Sequence, residues 1–158
     1  MSDKPKCLEQ WERVNRWYDR FKRINDGRPH DQPSENYQDD VYAFFLNCYH
    51  LKDWIKNDKG VGAAAGEVET FVASSEELKL CGDICNSIKH LTLRRTKSGK
   101  APQFGRRDFK LELGGGPPTI AISYEVQTAE GSVDAFELAT KCVSVWKSFI
   151  RSNITASP

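Results

Sequence analysis

At 158 residues and 17.9 kDa, the chain is long enough for one well-buried domain and short for two. With 23 Lys and Arg against 22 Asp and Glu it carries a formal net charge of +1. That balance excludes a uniformly basic nucleic-acid module and an acidic tail protein, and 39% hydrophobic residues exclude a disordered chain.

The first periodic segment covers residues 8 to 24. Leu8, Trp11, Val14, Tyr18, Phe21 and Ile24 recur at spacings of three and four, which is one apolar face of a helix. Gly27, Pro29 and Pro33 then stop it. A second helix is expected from about Ser34 to Asn57, with Tyr37, Val41, Phe44 or Phe45, Cys48, Leu51 and Ile55 as its stripe. Residues 41 to 51 are apolar around most of the circumference, so this helix should be central. Residues 58 to 68, DKGVGAAAGEV, read as a flexible loop.

A third helix is expected over residues 77 to 93, opened by a capping box of Ser74 and Glu77. Leu80 or Cys81, Ile84, Ile88 and Leu91 form its stripe, and Gly82 inside it allows close helix packing at about 1 kcal/mol relative to Ala. Residues 94 to 107 read as a basic loop. Phe109, Leu111 and Leu113 then alternate with Asp108, Lys110 and Glu112, the pattern of a half-buried strand. Residues 114 to 118, GGGPP, make a turn into a second strand carrying Ile120, Ile122, Tyr124 and Val126. A short third strand lies around Val133. The last helix opens at Asp134, with Glu137 completing a cap, and runs to about Arg151 before a frayed tail at 152 to 158.

The expected fold is a single, mainly helical α+β domain. It is a four-helix bundle with a small antiparallel β ribbon at 108 to 133 inserted before the last helix, around a core spanning 34 to 151. The start MSDKPKC has no apolar leader core, and no apolar run is long enough to cross a bilayer. The five cysteines are odd in number and lie mostly in helical segments. Reduced, packing thiols in a cytoplasmic protein are expected, with no metal and no cofactor.

Asp83, Asn86 and His90 are spaced three and four apart, so they share a helix face, with Lys89 beside them. His50 and Asp53 lie one turn apart on the second helix. Three chemistries fit these residues. His90 can act as acid or base in metal-independent RNA cleavage, oriented by Asn86 or Asp83, with Lys89 and Arg94 or Arg95 on phosphate. His50, Asp53, Asp83 and His90 can ligate a metal. Asp83, Asn86 and His90 can also form a buried polar network with no substrate.

Charge is uneven along the chain. From Lys89 to Lys110 eight basic residues, among them Arg94, Arg95, Arg106 and Arg107, face only Asp108. From Asp31 to Glu77 ten acids face Lys52, Lys56 and Lys59. The basic segment suits a phosphate backbone, and it equally suits pairing with the acidic half of this chain or of a second subunit.

The NSIKH run with an Asp three residues before its Asn resembles the motif helix of a family of small uncharacterised bacterial helical proteins. The resemblance extends to YAFFLNCYHLKDW at residues 42 to 54 and to the closing DAFELATKCVSVWKSFI. More distantly, the bundle and the place of His90 resemble HEPN domains, which are helical, usually dimeric and often ribonucleases. That resemblance implies binding of RNA or of a partner protein, a homodimer, and a site at His90 with Asn86 in the motif's polar position. The motif's arginine has no counterpart between Glu76 and His90, which implies a non-catalytic member.

Overall fold

The structure is a computed structural model that describes residues 3–90 and 96–155. Arg94 and Arg95 lie outside the described residues. Helix α1 spans Cys7–Asp26, strand β1 Arg28–Pro29 and helix α2 Ser34–Asn57. A single 3-10 turn at Lys59–Val61 leads into α3, Ala64–Ser74, and α4 follows at Glu76–His90. Strands β2 (Gln103–Glu112), β3 (Thr119–Thr128) and β4 (Gly131–Asp134) precede α5, Ala135–Asn153.

The described residues contain five α-helices, not the expected four. The correction is α3, which occupies much of what the composition marks as loop. Ala64, Val68 and Val72 recur every four residues and are all buried. This stripe is real but made of small side chains beside Gly62 and Gly66, so it carries little of the apolar contrast that marks a helix. Phe71, between those positions, lies 4.5 Å from the Phe149 ring.

Helix α2 is the centre, as its apolar girth predicts. Tyr37, Val41, Phe44, Phe45, Cys48, Leu51 and Ile55 are all buried, and α1, α3, α4 and α5 pack around them. Where α4 crosses α2, a Cβ on Gly82 would stand 2.6 Å from the Tyr49 ring. Close packing therefore requires glycine there. Ser75, not Ser74, caps α4: its Oγ accepts from Leu78 N at 3.2 Å, while Ser74 Oγ donates to the Phe71 carbonyl. Asp134 caps α5 through Glu137 N at 2.9 Å.

Strand β3 is the middle of an antiparallel sheet. β2 runs along one side of it, and β1 and β4 share the other side at opposite ends. Ile120, Ile122, Tyr124 and Val126 point inward and are buried against α1 and α5. β2 begins well inside the expected basic loop and carries a bulge between Phe104 and Arg107. Gly105 lies in that bulge, where a Cβ would meet the Gln127 side chain at 2.7 Å. Phe109 and Leu111, expected to be half-buried, are 51% and 52% exposed. They stand opposite Ile122 and Ile120 on the inner face, but β2 lies beyond the helices that cover β3. Among the described residues no helix is long and apolar enough to cross a membrane.

Candidate functional site

His90 ends α4 on an open cleft of about 710 Å³. Tyr42 from α2, Ser87, Ile88 and Lys89 from α4, and Gln103 and Phe104 from β2 complete its lining. The Tyr42 and Phe104 rings lie 5.0 Å apart and tilted. Gln38 donates to the Tyr42 hydroxyl through Nε2 and accepts from Arg107 Nη1 at 2.7 Å. A guanidinium is thereby tied to the cleft's aromatic wall. Lys89 and His90 are exposed in the last turn of α4, where the helix dipole also favours cations.

Asp83 has a different task. It is completely buried, and its carboxylate accepts from Lys97 N at 2.6 Å and from Ser98 N at 2.9 Å. Ser98 Oγ donates to the same carboxylate. Seven residues of helix separate Asp83 from His90 by about 10 Å, so sharing a face does not bring them into contact. Asp83 anchors the chain that leads from α4 toward β2. Asn86, one turn before His90, is half-buried.

His50 and Asp53 lie away from this cleft. Tyr42 and His50 are about 12 Å apart along α2, and His50 is exposed. Asp53 accepts from Lys52 Nζ at 2.9 Å and lines a second cleft, of about 670 Å³, with Trp54, Asn57 and Asp58. In that cleft burial works against the ionised Asp58, but N–H groups of Cys7 (2.7 Å) and Gly60 (2.8 Å) bond its carboxylate and hold its pKa below the usual range. Asp58 pins the start of α1.

Among the described residues, three cations of the basic segment are ion-paired, each with an acid outside the stretch from Asp31 to Glu77. Arg106 bonds Asp108 at 2.8 Å, Lys110 meets Glu112 at 3.4 Å and Lys100 meets Glu130 at 3.4 Å. Lys97 lies over the Tyr49 ring.

No family model, no curated protein and no solved structure matches this chain. The site therefore rests on its own geometry.

Among the described residues, one group of three or more His, Cys, Asp or Glu side chains has metal-like spacing, and it does not include the four residues considered from the sequence. Cys48 of α2, Cys81 of α4 and Cys142 of α5 hold their sulfurs within 4.8 Å of one another. By donor type this triad fits a soft, thiophilic ion. All three are buried at 0% exposure. Cys81 Sγ donates to the Phe45 carbonyl and Cys142 Sγ to that of Glu77, each at 3.5 Å. Burial pushes the Cys48 and Cys81 thiols up. Hydrogen bonds from Cys48 and Cys81 instead draw the Cys142 thiol down to about 6, so the three sulfurs form one mutually hydrogen-bonded cluster packed between three helices.

The residues that sequence reading missed are Tyr42, Gln103 and Phe104. Phe104 had a signal, as one of only two rings in the basic segment. Its meeting with Tyr42 depends on the rotation of α2 and the register of β2.

Proposed function

We propose that this chain is a non-catalytic, HEPN-like binding domain that takes single-stranded RNA at the cleft between α4 and β2. The observation that carries this reading is the wall on which the Tyr42 and Phe104 rings stand beside Lys89 and His90. Rings of this kind stack bases, and neighbouring cations hold the phosphates between them. Arg107, linked through Gln38 to Tyr42, extends the cationic rim. Engagement of Asp83 by the loop, and not by His90, favours binding over acid–base cleavage.

The test is fluorescence anisotropy with labelled single-stranded RNA at low salt, followed by a denaturing gel. Wild type should bind, lose affinity as salt rises, and leave the RNA intact. Lys89→Ala combined with His90→Ala, both at exposed positions, should weaken binding about tenfold while the far-ultraviolet circular dichroism stays unchanged. Absence of binding at low salt overturns the reading. Cleavage by wild type that His90→Ala abolishes would replace it with the metal-independent endoribonuclease. The exposed apolar row Phe109, Leu111 and Leu113 favours a second reading, association with a protein partner.

A further inference from the structure

We infer that β2 is a self-association edge, at which a second copy of this chain adds its own β2 in antiparallel with the two-fold axis at Phe109. The inference is independent of RNA binding. Among the described residues β2 pairs with β3 alone, so the backbone groups on its outer side form an open edge. Phe109, Leu111 and Leu113 are 51%, 52% and 77% exposed, an apolar row open to solvent among the described residues, with the Arg107 guanidinium beside the Phe109 ring.

The charges of β2 select both the occupant and the register. Arg107, Phe109 and Leu111 stand opposite the buried Tyr124, Ile122 and Ile120, so the intervening residues point to the outer face. There Arg106, Asp108, Lys110 and Glu112 alternate strictly in sign, already paired along the strand as Arg106–Asp108 and Lys110–Glu112. A two-fold axis through the sheet sets outer residues against outer ones. Centred on Phe109, it places Asp108 opposite the partner's Lys110 and Arg106 opposite the partner's Glu112, each pair twice. Phe109 then meets the partner's Phe109.

Neighbouring registers fail. Centring on Asp108 sets Arg106 against the partner's Lys110, and centring on Lys110 sets Asp108 against the partner's Glu112. Centring on Arg107 opposes two guanidiniums. Centring on Leu111 leaves Arg106 and Asp108 unmatched and runs past the end of the strand. Parallel in-register pairing stacks like charge on like. Charges on an edge strand ordinarily discourage pairing, but this order makes antiparallel self-pairing the arrangement they favour. One strand pair is a small interface beside the roughly 1,200 Å² of stable complexes, so the dimer should dissociate on dilution.

Sedimentation velocity across micromolar to millimolar protein tests the inference. Wild type should show a concentration-dependent monomer–dimer equilibrium. Asp108→Lys puts lysine opposite lysine and Lys110→Asp puts aspartate opposite aspartate, so each should raise the dissociation constant about tenfold. The double variant Asp108→Lys/Lys110→Asp should restore the dimer, and the two single variants should pair with each other when mixed. Both side chains are well exposed, so circular dichroism should be unchanged throughout. A wild type monomeric over the whole range, single variants that dimerise like wild type, or a double variant that stays monomeric each overturns the inference.

Discussion

Strands β2 and β3 are both ten residues long, pair with each other along their length and carry apolar side chains at alternate positions, in β2 over Asp108 to Glu112 and in β3 over Ile120 to Val126. Their fates are opposite. β3 buries Ile120, Ile122, Tyr124 and Val126, whereas β2 leaves Phe109 and Leu111 about half in solvent. At the start of β2, Phe104 packs on the helical layer against Tyr42 and Phe45, and Arg107 reaches it through a polar bond to Gln38. Alternation reports which side chains share a face of a strand. It does not report whether anything covers that face, because cover is set by the position of the strand in the sheet and by the helices beneath it.

The difference should be largest in stability. Ile122 is 1% exposed, and Ile122→Ala removes apolar contacts and leaves a cavity under the sheet. A loss of about 3 kcal/mol is expected from urea unfolding followed by tryptophan fluorescence. A loss below about 1 kcal/mol would show that β3 is no better covered than β2.

A second variant should loosen β2 while sparing β3. Asp83 holds Lys97 and Ser98 on the approach to β2 with three hydrogen bonds. Asp83→Ala removes a fully buried acceptor and all three bonds to the half-exposed Lys97–Ser98 segment, at a cost of about 2 kcal/mol by thermal or urea unfolding. Hydrogen exchange should quicken across residues 103 to 107 well before it does in β3. Equal acceleration in both strands would mean that Asp83 supports the whole core, not the loop alone.

The same contrast explains what was legible in the sequence. Helices α1, α2 and α5 were legible because long rows of large apolar residues, such as Val14, Phe21 and Ile24 in α1, stand out from their surroundings. Helix α3 was hidden because Ala64 and two valines make its stripe. β1 is two residues long and includes Pro29, which has no N–H to donate and fits only at an edge. In the site, Lys89 and His90 were legible as the polar end of a helix. Spacing could not show that Tyr42 and Phe104 would meet them, nor that His50 and Asp53 would lie about two and three turns further along α2. Helix periodicity gives direction around an axis, and a cleft also needs distance along it.

The smallest effect sharpens the comparison most. Leu111 stands directly opposite Ile120 and differs from it mainly in cover, 52% exposed against 4%. Leu111→Ala removes side-chain atoms that already touch water, so it opens no cavity and gives up little transfer free energy. At a concentration where the protein is monomeric, its cost in urea unfolding should stay under about 0.5 kcal/mol, while Ile120→Ala should cost several times more. A Leu111→Ala loss as large as that of Ile120→Ala would mean that β2 is covered in solution by a contact of its own chain, and its inner face would then not be open to a second copy.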